Sequence, residues 1–472
     1  MSSTSNARGL MRDSGPTAAH RNRTPGDREA TQPQETPKRE IKPHPDHLCE
    51  SRRGGTDVVV CGAGVGGLAA AHALGSLGLR VLIAEKQPRV PRVPKGEVLQ
   101  PGALKILDEW GVTKLLERQG AVRLSALIAG EGSGEGRMSL DYTQLPDETN
   151  WLLSADHETI LGALIDGLPE NVSLRRGVSV REALRDDTGR ITGLAVREAG
   201  SDREIRAPLV IAADGVSSKL RKSVGIGANR KDYPHRLVAL DIPDVPGAEA
   251  AVAAYVTDRG LRMRYPLPGN RVRLYVQAEP DELRGMDHDG LQRWADALIA
   301  ELPELAAFEG QLRSSLAGRQ LLPVGRFVAD GLFAPGMALI GEAAHSVHPM
   351  AAQGMNSAIY DANALRGCLA GRSLDASDVD SALREYQQRR MPELVQIGKI
   401  SHNAARMLTD LSWVGRTLGR RALRNTGANQ RLSFTVMHNL AGLGLHPLST
   451  FDRLCQLGLL PDPRARRRPR WA

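Results

Sequence analysis

Three short stretches of this chain hold residues whose types and spacing could do chemistry. The first, Gly341-Glu342-Ala-Ala-His345-Ser-Val-His348-Pro349-Met350-Ala-Ala352-Gln353-Gly354-Met355-Asn356, follows the apolar run 337–340 and precedes 357–365. The run reads as a short buried strand, and the apolar spacing that follows is helical. A carboxylate at a strand end can accept hydrogen bonds from sugar hydroxyls, while the free N–H groups at a helix start can face an electron-rich ring. Gly341, Glu342, Gln353, Gly354, Met355 and Asn356 are thus candidates for holding a flavin. The second stretch, Gly62-Ala63-Gly64-Val-Gly66-Gly67, matches G-x-G-x-x-G between a strand and a helix, and Glu85 and Lys86 close the next strand. Its glycines permit a tight turn and close approach of a pyrophosphate, and Glu85 can accept from ribose hydroxyls; alone, it indicates a dinucleotide, NAD or FAD. The third, Asp214-Gly-Val-Ser-Ser218-Lys-Leu-Arg221, puts a carboxylate and a guanidinium near a phosphate-rich groove.

Such residues need alternating strands and helices to position them. From Thr56 the chain reads strand 57–61, helix 65–77 and strand 80–85, a βαβ start that favours a parallel sheet covered on both faces. Segments 122–129 and 136–142 read as paired strands around the Gly-rich turn 130–136, and 178–213 as three short strands. Strands 237–242, 250–256, 261–266 and 271–277, followed by a helix at 290–302, suggest an antiparallel sheet with a covering helix. Beyond Met391-Pro392 the chain reads helical. Residues 1–55, rich in Pro, Ser, Thr, Arg and Glu without apolar periodicity, read as disordered. The expected architecture is α/β: a Rossmann-like FAD-binding domain (56–121, 143–231 and 329–391) with an inserted antiparallel β-sheet substrate domain (122–142 and 232–328). A C-terminal helical region (392–462) and a basic tail (463–472) follow.

Composition narrows the partners. The net charge is 62 − 54 = +8, of which residues 1–55 supply 10 − 7 = +3 and residues 462–470 supply 5 − 1 = +4, so the body is near +1. With no basic stripe interleaved with aromatics in the body, no nucleic acid is expected as a partner. The four cysteines, Cys49, Cys61, Cys368 and Cys455, form neither a metal spacing nor a disulfide framework, which suits a reducing cytoplasm, and no metal is expected. No run reaches the roughly 18 apolar residues of a membrane span. Residues 411–423 segregate apolar side chains from Arg at helical period; such a helix can lie on a membrane surface or pack over the flavin domain.

The three motifs in this order, with Lys95-Gly-Glu-Val-Leu-Gln-Pro101 and Tyr386-Gln-Gln-Arg-Arg-Met-Pro392, resemble the class A FAD-dependent monooxygenases, the group of para-hydroxybenzoate hydroxylase. The resemblance runs from Thr56 to Arg390. It implies that Gly62, Gly64, Gly67 and Glu85 hold the adenosine half of FAD, and that Asp214 lies between the pyrophosphate and the NADPH groove. It further implies that Glu342 takes a ribityl or phosphate-side contact, that Gly354, Met355 and Asn356 present backbone N–H groups to the isoalloxazine, and that Pro349 lines the oxygen-reacting face. The implied activity is reduction of FAD by NADPH or NADH, capture of O2 at flavin C4a, and transfer of one oxygen atom to an aromatic, quinone-like or polyene molecule. His345 and His348 have the chemistry of acids and bases, although His345 falls at a recurrent structural position in the family. Arg264 and Tyr265 could line the substrate face of the second sheet.

Four positions depart from the family pattern. Glu342 stands where Asp is usual, Ala352 where Gly is usual, and Lys95 and His157 where Arg is frequent. Glu342 keeps the charge; Lys95 loses bidentate phosphate geometry; His157 is a weaker, neutral phosphate partner at neutral pH. Ala352 places a Cβ where the ring would sit and move. Because Ala352, Lys95 and His157 all touch the reductive half of the cycle, an FAD-bound non-redox cyclase of a polyketide pathway is the alternative, with a flavin-dependent double-bond reductase as a third. The abundance of Arg, Ala and Gly suggests a GC-rich genome and a role in antibiotic biosynthesis.

Overall fold

Val58, Val59 and Val60 are fully buried because the strand Val58–Cys61 runs through the middle of a six-stranded sheet, where β-branched side chains fill both faces. The structure is a computed structural model that describes residues 55–93, 95–132, 136–146 and 148–471. The expectation of disorder up to residue 54, Cys49, and residues 133–135 of the Gly-rich turn lie outside the described residues.

On one side of Val58–Cys61 lie Val81–Glu85 and Val172–Arg176; on the other lie Leu209–Ala212, Met337–Leu339 and, at the edge, Phe333–Ala334. Every pairing is parallel except the last. With Val58 in register with both Val81 and Leu209, the residues after Cys61, Glu85 and Ala212 emerge at one edge of the sheet. In an open parallel sheet, that edge is where ligands bind. Helices Val65–Gly75 and Gln353–Leu369 pack against each other beside it.

The second sheet has eight strands, in the order His345–Ser346, Gln320–Val328, Lys231–Ile242, Arg271–Ala278, Gly260–Leu267, Ala251–Thr257, Ala126–Glu131 and Gly136–Asp141. It is antiparallel apart from one parallel pair, Ala251–Thr257 with Ala126–Glu131, where the chain returns from a distant part of the sequence. The strand expected over 122–129 divides at Ser125: Val122–Leu124 joins Val98–Leu99 and Leu152–Ser154 in a separate three-stranded sheet. Helix His288–Glu301 covers one face of the large sheet, packing Trp294, Ala295 and Leu298 over Val272, Leu274 and Val276.

The other face meets the cofactor domain and the C-terminal helices. Ala376–Thr409 is one helix that passes through Met391-Pro392, so the change expected there falls inside a continuous element. Trp413–Gly427, Gln430–Ala441 and Thr450–Gln456 follow it. Phe434, Met437 and Leu440 of the second of these pack with Met263, Tyr265 and Leu267 of the sheet. The basic tail returns onto this layer, where the Trp471 ring stacks on His446 with centroids 3.5 Å apart. No helix among the described residues is long and apolar enough to cross a membrane.

Candidate active site

The loop after Val58–Cys61 is shaped by what its glycines must avoid. A Cβ on Gly67 would overlap the Gly62 carbonyl, so the helix start can approach the strand only without a side chain, whereas Gly64 faces open space. The Ala63 N–H donates to Glu85 Oε2 at 2.7 Å and the Gln87 N–H to Glu85 Oε1 at 2.7 Å. Glu85 therefore fixes the loop and retains lone pairs for ribose hydroxyls. Lys86 is exposed beside it. Asp214 Oδ2 accepts from the N–H groups of Lys219 at 2.8 Å and Leu220 at 3.2 Å, but its Oδ1 is buried without a partner.

The third motif is locked from behind. Gly341 adopts φ +61°, donates its N–H to Asp361 Oδ2 at 3.0 Å, and packs so that a Cβ would come 3.2 Å from that of Ala358. Asp361 also receives His345 Nε2 at 2.7 Å and the Arg390 guanidinium at 2.8 Å, all three fully enclosed. Burial raises the Asp361 pKa, but its His345 and Arg390 partners outweigh that and hold the carboxyl below its ordinary value. His345 is a structural ligand of this carboxylate. Arg221, expected at the phosphate groove, is turned inward: its Nη1 donates to the Ala343 carbonyl at 2.6 Å, and burial lowers its pKa. It braces the turn through the Ala343 carbonyl.

Glu342 points outward, where its Oε2 accepts from Lys95 Nζ at 2.6 Å. Two departures from the family pattern thus meet each other, and the extra methylene of Glu342 supplies reach toward a Lys. Both side chains are half exposed, so the pair itself contributes at most about 1 kcal/mol. His157, at the start of helix His157–Asp166, has a buried Nδ1 with no partner, and desolvation lowers its pKa, so it is neutral at neutral pH.

His348, a candidate acid or base, is wholly buried with both ring nitrogens engaged. Its Nδ1 accepts from the Met350 N–H at 3.2 Å, which assigns the proton to Nε2, and Nε2 lies 3.1 Å from His235 Nε2. Burial pushes His348 down to about 3 and His235 to about 4, leaving both neutral. His348 is therefore a packing and positioning group. Pro349 is exposed at the first position of the turn Pro349–Ala351. Ala352 follows in the left-handed region at φ +48° and ψ +35°, and Gln353–Leu369 begins next.

The start of that helix contributes backbone rather than side chains. Asn356 is fully buried, with Oδ1 accepting from Gln100 N at 2.9 Å and Nδ2 donating to the Val98 carbonyl at 3.1 Å. Gln353, expected toward the cofactor, instead donates its amide to the Leu440 carbonyl at 2.9 Å, tying the helix start to the C-terminal layer. Gly354 and Met355 are half buried, and Met355 packs beside Gly96.

Arg264 is on the opposite face from the one expected. Strand alternation turns it toward Glu304, whose Oε1 accepts from its Nε at 2.6 Å. Tyr265 does face the site, with its hydroxyl donating to Glu97 Oε2 at 2.8 Å. Glu97 is clamped by Arg273 through Nε at 2.9 Å and Nη2 at 2.7 Å, a fully buried ion pair that motif reading passed over. Its signal was present: Glu97 follows Lys95, and Arg273 and Tyr275 share one face of a strand.

Between the sheet face and the C-terminal helices lies an apolar cavity of about 110 Å³. Met138, Met263 and Val252 form its sheet wall, Ile400, Met407 and Leu440 its helix wall, and Met350 its side toward the flavin turn. FAD fits the neighbouring groove on local grounds: the open face of Gly64, the unpartnered Asp214 Oδ1 and the unpartnered His157 Nδ1 are a cradle and two buried polar atoms that need a ligand.

Comparison with known proteins agrees. The FAD binding domain family matches residues 55–398. The chain is 30% identical over 368 residues to the 6-methylpretetramide 4-monooxygenase of Streptomyces rimosus, covering 75% of this chain and 84% of that protein. To squalene epoxidase 5 of Arabidopsis thaliana it is 23% identical over 433 residues, 88% of this chain and 82% of the relative. Among solved structures, P. aeruginosa PqsL in complex with 2-aminobenzoylacetate superimposes with a TM-score of 0.67 at 26% identity, covering 76% of this chain and 98% of that one. A chain that matches this domain over most of its length, and carries the cofactor motifs in the same order, belongs to the class A FAD-dependent monooxygenases.

Proposed function

We propose that this FAD-dependent oxidoreductase inserts one atom of O2 into an apolar aromatic, quinone-like or polyene small molecule of secondary metabolism, with NADPH or NADH as electron donor. Met350 carries the reading: it lies on the turn that leads into the flavin helix, and it also lines the apolar cavity, so cradle and pocket share a wall. The relatives' names, a 6-methylpretetramide monooxygenase and a squalene epoxidase, support both polycyclic and polyene substrates.

When bound, FAD supplies the electron transfer and oxygen chemistry that no side chain provides. The chain's own part is positional and electrostatic. Gly62, Ala63, Gly64, Gly66 and Gly67 would hold the pyrophosphate at a helix start and Glu85 the ribose, while Asp214 Oδ1 would accept a hydrogen bond and His157 Nδ1 would offer a further polar contact inside the groove. The N–H groups of Gly354 and Met355, in the first turn of the helix, would favour negative charge on the ring by roughly 1 kcal/mol. Met350 lines the side of the cavity toward the flavin turn, and the apolar walls would keep water from the reacting atoms.

The test is anaerobic mixing of the FAD-loaded protein with NADPH or NADH, followed by O2. Bleaching of the flavin and its reoxidation are expected. A protein that holds FAD but resists both nicotinamides overturns the electron-donor assignment, and product formation under nitrogen without nicotinamide moves the site to the non-redox cyclase.

A further inference from the structure

Arg453 is a half-buried cation that lines a mainly apolar cavity, together with the amides of Gln396, Asn403, Asn439 and Gln456. It projects from helix Thr450–Gln456, beyond the residues matched by the FAD binding domain, and shares the cavity with Met138, Met263, Met350, Met407 and Gln456. Its Nη1 donates to Gln456 Oε1 at 3.1 Å, and it forms no ion pair among the described residues. The carboxylates nearest in sequence are committed elsewhere. Asp452 accepts from Arg431 and Ser449, and Asp462 from Arg431 and Asn429. Burial lowers the Arg453 pKa against the opposing pull of the Asp452 carboxylate, yet a guanidinium stays protonated at neutral pH. The guanidinium N–H groups that Gln456 leaves free are not sealed in the interior, so they are open to a ligand that enters the cavity.

We propose that Arg453 recognises an oxyanion on the substrate, the ionised oxygen of a phenol, enol or carboxylic acid carried on an apolar ring system. Gln456 is the positioning residue: its Oε1 orients the guanidinium, and its own Nε2 is anchored on Thr426 Oγ1 at 3.1 Å. The four methionines provide a wall that adapts to ring shape, so the fork supplies orientation where the apolar surface does not. The assignment rests on the oxygenase reading of this cavity.

The FAD-loaded protein is titrated with 2-naphthoate and with its neutral counterpart 2-naphthamide, following probe fluorescence. Naphthoate is expected to bind roughly tenfold more tightly than naphthamide. R453Q should abolish that preference by weakening naphthoate alone, R453K should retain part of it, and M263W, by filling the cavity, should weaken both probes. Equal affinities in a wild-type protein that retains FAD overturn the role of Arg453, as does a naphthoate preference that survives R453Q. Failure to bind FAD at all overturns the oxygenase reading instead.

Discussion

Ala352 adopts a left-handed conformation that a Cβ disfavours by roughly 1–2 kcal/mol, and it does so at the junction between the turn Pro349–Ala351 and the flavin helix. Glycine, usual in the family here, satisfies the backbone, so the methyl is a local strain. Ala352→Gly removes that strain but enlarges the unfolded ensemble by about 0.5–1 kcal/mol, and the two effects oppose each other. The net gain in urea unfolding should therefore lie between about 0 and 1.5 kcal/mol. The rate of flavin reduction by NADPH should rise if the methyl restrains ring movement; an unchanged rate would confine its effect to the backbone. At this scale the sequence identified Ala352 as unusual but not why, since the sign of φ is not written in a residue's type. His348 misled for a related reason: histidine announces acid–base chemistry, while burial and a His235 neighbour remove it.

The strand Arg271–Ala278 explains why the polar face of the large sheet was hard to read. Val272, Leu274 and Val276 alternate with Arg273, Tyr275 and Gln277, a pattern that normally marks one buried and one solvated face. Here both faces are covered, one by helix His288–Glu301 and the other by the cofactor domain with Glu97. Alternation establishes which residues share a face, but not what the face meets. The strand and helix order and the FAD loop were legible because their signals are local. The splitting of 122–129, the parallel pair and the Glu97–Arg273 bond join residues far apart in sequence. Arg273→Met, which leaves Glu97 buried and unpaired, should destabilise the protein by roughly 3–5 kcal/mol, whereas Glu97→Leu combined with Arg273→Met should recover much of the loss. Urea titrations of the three proteins check this; a single-variant loss below about 0.5 kcal/mol would mean that water reaches the pair.

The molecule is held around its cavity by contacts that cross between its parts, and several pass through neutral histidines. His348 on the flavin turn meets His235 on the sheet and stacks edge-on with Tyr233, 4.7 Å between ring centroids. The Tyr233 hydroxyl in turn reaches His402 Nδ1 at 3.0 Å on Ala376–Thr409, and Ser401 of that helix donates to the His348 carbonyl at 3.0 Å. The amphipathic C-terminal sequence signalled helices, but an apolar face does not name its partner, so their place as a cavity wall emerged only from the fold. Because burial lowers the folded-state values of His348 and His235 from 6.5 to about 3 and about 4, the unfolded chain binds protons more readily. Their stabilisation is complete above pH 6.5 and is lost as pH falls from there toward 4 for His235 and 3 for His348. Lowering the pH from 7.5 to 5 should remove about 2 kcal/mol per histidine, by the linkage of 1.36 kcal/mol per pH unit below the unfolded value. His235→Gln keeps an acceptor for His348 Nε2–H but removes one titrating group, so its loss over the same range should be smaller by about 2 kcal/mol. Urea unfolding at the two pH values measures both quantities. Parallel pH profiles for wild type and variant would mean that His235 takes up its proton without unfolding, and that this junction opens to water in the folded protein.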